Sequence, residues 1–354
     1  MARTEIDRGR EAVFAQLDGL DGSRPPDRSA PAWRPSYAAL DLGTNNCRLL
    51  VAEAGEGGGF RVVDAFSRIV RLGEGVAASG RLSERAMART IDALRVCATK
   101  IRRRRVAGAR TVATEACRRA VNCEDFLQRV EASTGLALEI ISSREEARLS
   151  LAGCSALLDP GIPRAIVFDI GGGSTELSWV DLTSGGPVTE ASISLPLGVV
   201  TLGERHPAEA MDADTYHLMV AEIGQHLTQF DAAHGIAAKV ELGRTQMLGS
   251  SGTVTTLAGI HLGLPRYDRT QVDGYTLGFE AIREVTSRLL ALDVAGRARQ
   301  PCVGRDRADL VMAGCAILEA ICRRWPVGCV RVADRGVREG ILISLIGEAR
   351  SRVV

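Results

Sequence analysis

IVFDIGGGSTE, residues 166–176, is the stretch on which the reading of the chain turns. Ile166, Val167 and Phe168 are β-branched or aromatic and predict a buried strand that ends on the carboxylate of Asp169. Gly171, Gly172 and Gly173 follow. Lacking a Cβ, they allow positive φ and a close approach of backbone N–H groups to a ligand. Ser174 and Thr175 add hydroxyl donors, and Glu176 adds a second carboxylate. A strand that delivers an acid into such a nest of amides suits phosphate oxygens and a divalent cation. Taken alone, the same stretch also reads as a glycine-rich hairpin with an acid on its rim.

The pattern occurs twice. YAALDLGTNNCRLLVAEA (37–54) is again strand, turn and strand. Asp41 closes the first strand, Gly43, Thr44, Asn45 and Asn46 form the turn, and Arg48 to Val51 leave it. Asp41 and Asp169 lie 128 residues apart, the length of an ordinary domain. Two related halves facing a cleft are therefore expected, each offering a turn and an acid.

Alternating strand and helix patterns around these hairpins argue for α/β layers. Met87, Ile91, Leu94, Ala98 and Ile101 recur at helical spacing over 82–101, and the cations Arg102 to Arg105 suit that helix's C-terminus. Residues 60–70 read as a further strand pair, and 111–117 and 136–142 as strands. Ser142 and Ser143 each precede a Glu by three residues, the capping-box spacing, so Glu146 reads as an acid in the first helical turn. GSSGT (249–253) opens a helix from Val254, and Ser251, Gly252 and Thr253 form a second anion cradle there. The expected division is a flexible arm at 1–36 with a short helix near 10–18, lobes at 37–158 and 159–335, and a C-terminal helix at 336–354 packing near the lobe junction.

Composition narrows the function. Of 354 residues, 45% are hydrophobic and 25% charged, which fits a packed globular chain. The net charge of +1 advertises neither nucleic acid nor membrane as partner. Lys100 and Lys239 are the sole lysines and neither follows a GxxxxG run, which excludes a P-loop. Nine scattered cysteines without a CxxC pair read as buried hydrophobes of a reducing compartment. With no signal core at the start and no run of about 18 apolar residues, a cytoplasmic location is expected. The five histidines show no metal spacing.

Phosphoryl transfer to water unites these features. It needs donors for several phosphate oxygens, a cation, and a base aimed at water. The two turns and the GSSGT loop supply donors, Asp41, Asp169 and Glu176 supply hard oxygen ligands for magnesium, and Arg118 is placed to clamp phosphate.

Seven segments then carry a resemblance: DLGTNNCRLL (41–50), ATEACRRAVN (113–122), IISSREEARL (140–149), VFDIGGGSTEL (167–177), LPLGVVTLGERH (195–206), GSSGTVTT (249–256) and DRGVREGIL (334–342). In this order the chain resembles the Ppx/GppA family of exopolyphosphatases and guanosine pentaphosphate phosphatases, within the actin-like superfamily. The resemblance implies two actin-like, ribonuclease H-like lobes with an interlobe cleft. It implies release of terminal orthophosphate from inorganic polyphosphate, with 5′-phosphate removal from pppGpp in the stringent response as the alternative. It implies Mg2+ or another divalent cation, Glu146 as catalytic base, Asp169 binding metal and positioning water, and Arg118 on phosphate. A homodimer is a further expectation. Readings outside this activity are an ATPase or sugar kinase of the same fold and a non-enzymatic sensor of ppGpp or polyphosphate. Asn46 stands where the family often has Ser, and Thr201 where many members have Arg, which predicts a weaker grip on a long polyanion. The chain also lacks the C-terminal helical module of longer members, which predicts less processive action on long chains.

Overall fold

The computed structural model describes residues 35–55 and 59–351. The expected N-terminal arm and its short helix lie outside them, except Pro35 and Ser36, and Ser36 already begins the first strand. Strands β1 (Ser36–Leu42), β2 (Asn46–Ala54), β3 (Phe60–Ile69), β4 (Gly108–Ala113) and β5 (Glu139–Ile140) form one sheet in the order β3-β2-β1-β4-β5. Strands β6 (Arg164–Ile170), β7 (Thr175–Asp181), β8 (Val188–Leu195), β9 (Thr245–Ser250), β10 (Thr276–Gly278) and β11 (Cys329–Ala333) form the other, in the order β8-β7-β6-β9-β11-β10. Each sheet joins an antiparallel meander to a parallel crossover, since β1 pairs antiparallel with β2 and parallel with β4, and β6 pairs likewise with β7 and β9. β10 is an antiparallel edge that the first sheet lacks. The duplication expected from the two hairpins is thus a duplication of sheet topology. Two α/β lobes face one another across a cleft.

Three strand expectations change. Residues 60–69 form one strand, because β2 offers nine residues of edge and β3 follows all of it through a bulge at Val51/Ala52. The strand expected at 111–117 stops at Ala113, and Glu115–Arg119 is helical. The strand expected at 136–142 keeps Glu139–Ile140 alone.

One helix ties the two lobes together. In helix Ser143–Cys154, Leu149 packs with Tyr37, Ala39, Leu50, Val112 and Ile341 on the first sheet's side. Leu151 and Cys154 pack with Val167, Val180, Leu248 and Ala333 on the second sheet's side. Its N-cap is Ser142, whose Oγ accepts from Glu145 N at 3.2 Å. The capping position therefore belongs to Glu145, whose carboxylate is held by Arg110 and Arg148. Glu146 lies one residue later and turns into the cleft.

Helix Val337–Ser351 completes this layer by packing against helix Ser143–Cys154 and β1. The helices approach through glycines. A Cβ on Gly340 would stand 2.0 Å from the Leu149 carbonyl oxygen, and one on Gly153 would stand 2.1 Å from that of Gly336. Backbone cannot yield as a flexible side chain does. Gly340→Ala is expected to destabilise the chain by about 1–3 kcal/mol or more, read as a fall in denaturation midpoint at constant m-value. A variant as stable as the parent would contradict this contact. The other face of the second sheet carries the largest core, where Phe168, Leu177 and Trp179 meet Tyr216, Leu227, Met312 and Trp325. Among the described residues no helix is long and apolar enough to cross a membrane.

Candidate active site

The cleft encloses about 990 Å³ of space open to solvent, at the carboxyl ends of β1 and β6. Such ends are where α/β sheets bind ligands. Of the residues anticipated from sequence, Asp41, Gly43, Thr44, Asn45, Asn46, Glu146, Asp169, Gly171, Gly172, Gly173, Ser174, Ser251, Gly252 and Thr253 line it.

Three do not. Thr175 is fully buried and donates to the Leu197 carbonyl at 2.6 Å. Glu176 is 3% exposed and accepts from Ser174 Oγ at 2.7 Å and Ser194 Oγ at 2.9 Å. As the cross-strand partner of Asp169 it shares a sheet face with that acid but sits farther from the strand end. Arg118 stands behind Glu146. Its Nη1 donates to Glu146 Oε2 at 2.8 Å and to the Ile141 carbonyl at 2.9 Å, and its Nε to Glu115 Oε2 at 3.0 Å.

The two turns use one device. In the first, the Thr44 carbonyl accepts from Gly73 N at 2.9 Å and the Asn45 carbonyl from Val70 N at 2.8 Å. In the second, the Gly171 carbonyl accepts from Val199 N at 3.0 Å and the Gly172 carbonyl from Val200 N at 2.8 Å. Every peptide here is trans, so each N–H points opposite to the carbonyl of the residue before it. The amides of Asn45, Gly172 and Gly173 therefore face away from the segments that hold those carbonyls. None of the three has a backbone partner among the described residues. The Thr44 hydroxyl and the Asn45 side-chain oxygen are likewise buried without a partner. A third set of donors is the N-terminus of helix Gly252–His261, capped by Ser251 Oγ accepting from Val254 N at 3.0 Å.

The glycines have a different reason from the one expected. None of Gly43, Gly171, Gly172 and Gly173 has positive φ. They are required because the turns nearly touch: a Cβ on Gly172 would stand 3.0 Å from Asn45 N, and one on Gly173 would stand 2.6 Å from Thr44 Oγ1. Absent side chains let two sets of amides converge. Thr201, the departure noted from sequence, is buried and its hydroxyl accepts from Gly198 N at 2.8 Å, at the start of the helix that holds the second turn.

The carboxylates are crowded and poorly hydrated. Burial, then the neighbouring Glu176, pushes Glu146 well above the usual carboxylate range, against the pull of Arg118. Burial and Glu146 raise Asp169 to about 7, opposed by Arg48 and by Ser150, whose Oγ lies 3.3 Å from Asp169 Oδ2. Burial raises Glu176 to about 7 despite its two serines, and it raises Asp41 against Arg48 and Arg338.

Sequence reasoning missed Arg48, Thr114, Glu115, Thr256 and Arg307, which also line the cleft. Arg48 was within reach, since hairpin register sets it opposite Asp41. Arg307, whose Nη1 donates to Thr256 Oγ1 at 3.1 Å, lies in an irregular stretch with no local signal.

The donor set bears on a divalent cation. Among the described residues no three His, Cys, Asp or Glu side chains converge as metal ligands, so Asp41, Asp169 and Glu176 do not form a cage. Asp41 and Asp169 do line one cavity beside an unpartnered Asn45 side-chain oxygen. Two carboxylates with remaining positions for water and phosphate oxygens suit magnesium.

Comparison with known proteins agrees with this architecture. The sequence pattern of the Ppx/GppA phosphatase family matches residues 50–349. The chain is 32% identical over 326 residues to Exopolyphosphatase 2 of Mycobacterium tuberculosis, spanning 88% of this chain and 98% of that protein. A solved exopolyphosphatase-like protein superposes with a TM-score of 0.79 at 29% identity, covering 88% of this chain and 97% of that one. The Ppx/GppA family member of Aquifex aeolicus superposes with a TM-score of 0.72 at 28% identity, covering 89% and 98%. With family pattern, sequence and fold in accord over most of its length, the chain is a hydrolase of the Ppx/GppA phosphatase family.

Proposed function

We propose that the chain is an exopolyphosphatase, releasing terminal orthophosphate from linear inorganic polyphosphate by direct water attack. One observation carries this reading: Glu146, a half-buried acid with a raised proton affinity, lines the same cavity as the unpartnered amides of the two turns. The amides of Asn45, Gly172 and Gly173 and the helix N-terminus at Ser251–Thr253 hold the oxygens of the terminal phosphate, where charge develops in the transition state. Glu146 accepts the proton of the attacking water, and burial beside Glu176 raises its affinity for that proton. Arg118, itself held by Glu115, fixes the orientation of that carboxylate. Asp41 and Asp169 are the residues that would hold magnesium. When bound, such a cation neutralises charge on the phosphates. The matched exopolyphosphatase supports polyphosphate as substrate.

Phosphate release measured on linear polyphosphate and on pppGpp, with magnesium present, tests the reading. A higher kcat/KM on polyphosphate is expected, and a higher value on pppGpp would overturn it.

The carboxylates also predict how a cation and pH act together. Asp169 and Glu176 keep protons up to about 7 when folded, whereas in an unfolded chain they lose them near about 4. Between those values the folded state binds more protons, so the stability of cation-free protein falls as pH rises through this interval. A cation displaces the protons, and its stabilising effect grows over the same interval. The magnesium-induced rise in Tm is therefore expected to be larger at about pH 8 than at about pH 5.5. A rise independent of pH would contradict a cation site at Asp169.

A further inference from the structure

A second groove, of about 1410 Å³, opens beside the catalytic cleft, and Asn46 and Arg307 line both. Six arginines line it: Arg68, Arg71, Arg85, Arg89, Arg305 and Arg307. Among the described residues two acids, Glu74 and Asp306, share its walls with these six arginines, in a chain whose net charge is +1. Both lobes contribute, since residues 67–89 form one wall and residues 303–307 the other.

Three of the arginines already have partners. Arg71 grips both carboxylate oxygens of Asp309, at 2.8 and 3.1 Å, and so bridges the two walls. Arg89 donates to the Val70 carbonyl at 2.5 Å and to Glu74 at 3.1 Å. Arg307 donates to Thr256. Arg68, Arg85 and Arg305 are exposed and have no carboxylate partner among the described residues. Arg68 lies over the ring of Phe66, 5.2 Å from its centroid, which holds the guanidinium in place without neutralising it.

The chemistry of the groove selects among anions. Among the described residues no aromatic ring lines it, and Ile69 and Val303 are its apolar residues. A nucleobase would find no face to stack on. A row of phosphates would find guanidinium groups suited to paired hydrogen bonds with phosphate oxygens.

We propose that this groove is the distal subsite for linear polyphosphate. With the terminal phosphate in the cleft, the following phosphates pass Asn46 and Arg307 and lie along Arg68, Arg85 and Arg305. The inference rests on the polyphosphate reading above and deepens it, because it assigns a site for chain length in residues remote from the reacting phosphate.

The test is the triple variant Arg68→Gln/Arg85→Gln/Arg305→Gln. Loss of three exposed charge contacts is expected to lower the ratio of kcat/KM on long-chain polyphosphate to kcat/KM on tripolyphosphate by about tenfold, mainly through KM for the long chain. Equilibrium binding of long-chain polyphosphate is expected to weaken and to lose part of its salt dependence, because fewer counterions are released. An unchanged ratio with unchanged binding overturns the groove and leaves the hydrolytic reading standing. If the parent protein releases no phosphate from either polyphosphate, the hydrolytic reading fails. The binding comparison then decides the groove alone: weaker binding by the triple variant supports it and equal binding overturns it.

Discussion

Glu146→Gln is expected to lower kcat for phosphate release from polyphosphate by roughly 10² or more, with a much smaller change in KM. The substitution keeps the shape of the side chain and an oxygen that can accept from Arg118 Nη1, so the half-buried pair that positions residue 146 is retained as a hydrogen bond. What it removes is the ability to take a proton from water. Turnover is read by orthophosphate release and folding by Tm. Unchanged turnover in a folded variant would reject Glu146 as the base.

Gly198→Ala is expected to lower kcat/KM by about 10² although residue 198 bears no reactive group, because a displacement of about 1 Å at a reacting centre suffices for such a loss. A Cβ at this position would stand 2.4 Å from both the carbonyl carbon and the carbonyl oxygen of Gly172, and 2.6 Å from Gly173 N. All three atoms are backbone, so no rotamer change relieves the clash. The turn must move, carrying with it the amides of Gly172 and Gly173. Gly186→Ala is the matched control, since a Cβ there meets nothing within 4 Å, and it is expected to leave both activity and Tm unchanged. Equal activity of the two variants would show that the turn's position does not matter to the reaction.

Much of the architecture was legible because hairpins announce themselves locally. IVFDIGGGSTE and YAALDLGTNN each contain a strand, an acid and a turn within about ten residues, and their repetition implied the duplicated sheet. Direction was harder to read than position. Glu145 and Glu146 are adjacent, and which one caps the helix depends on whether Ser142 or Ser143 begins it. The resemblance implied a catalytic role for Glu146, whereas spacing alone made it a capping-box acid in the first helical turn. Thr175 and Glu176 belong to the right motif, but strand β7 carries them into the interior, where main-chain and serine partners satisfy them. Arg118 was found, but its partners were not, because Glu146 lies 28 residues away and meets it only through the lobe's fold. Arg307 and the arginines of the second groove come from separate segments, and nothing local to any one of them signals the others.

Water attack at the chain end is the central claim, and isotope transfer tests it most directly. In ¹⁸O-enriched water, a single turnover of linear polyphosphate is predicted to place one labelled oxygen in the released orthophosphate and none in the shortened chain. Label in the shortened chain, or label absent from the first orthophosphate released, would contradict the account.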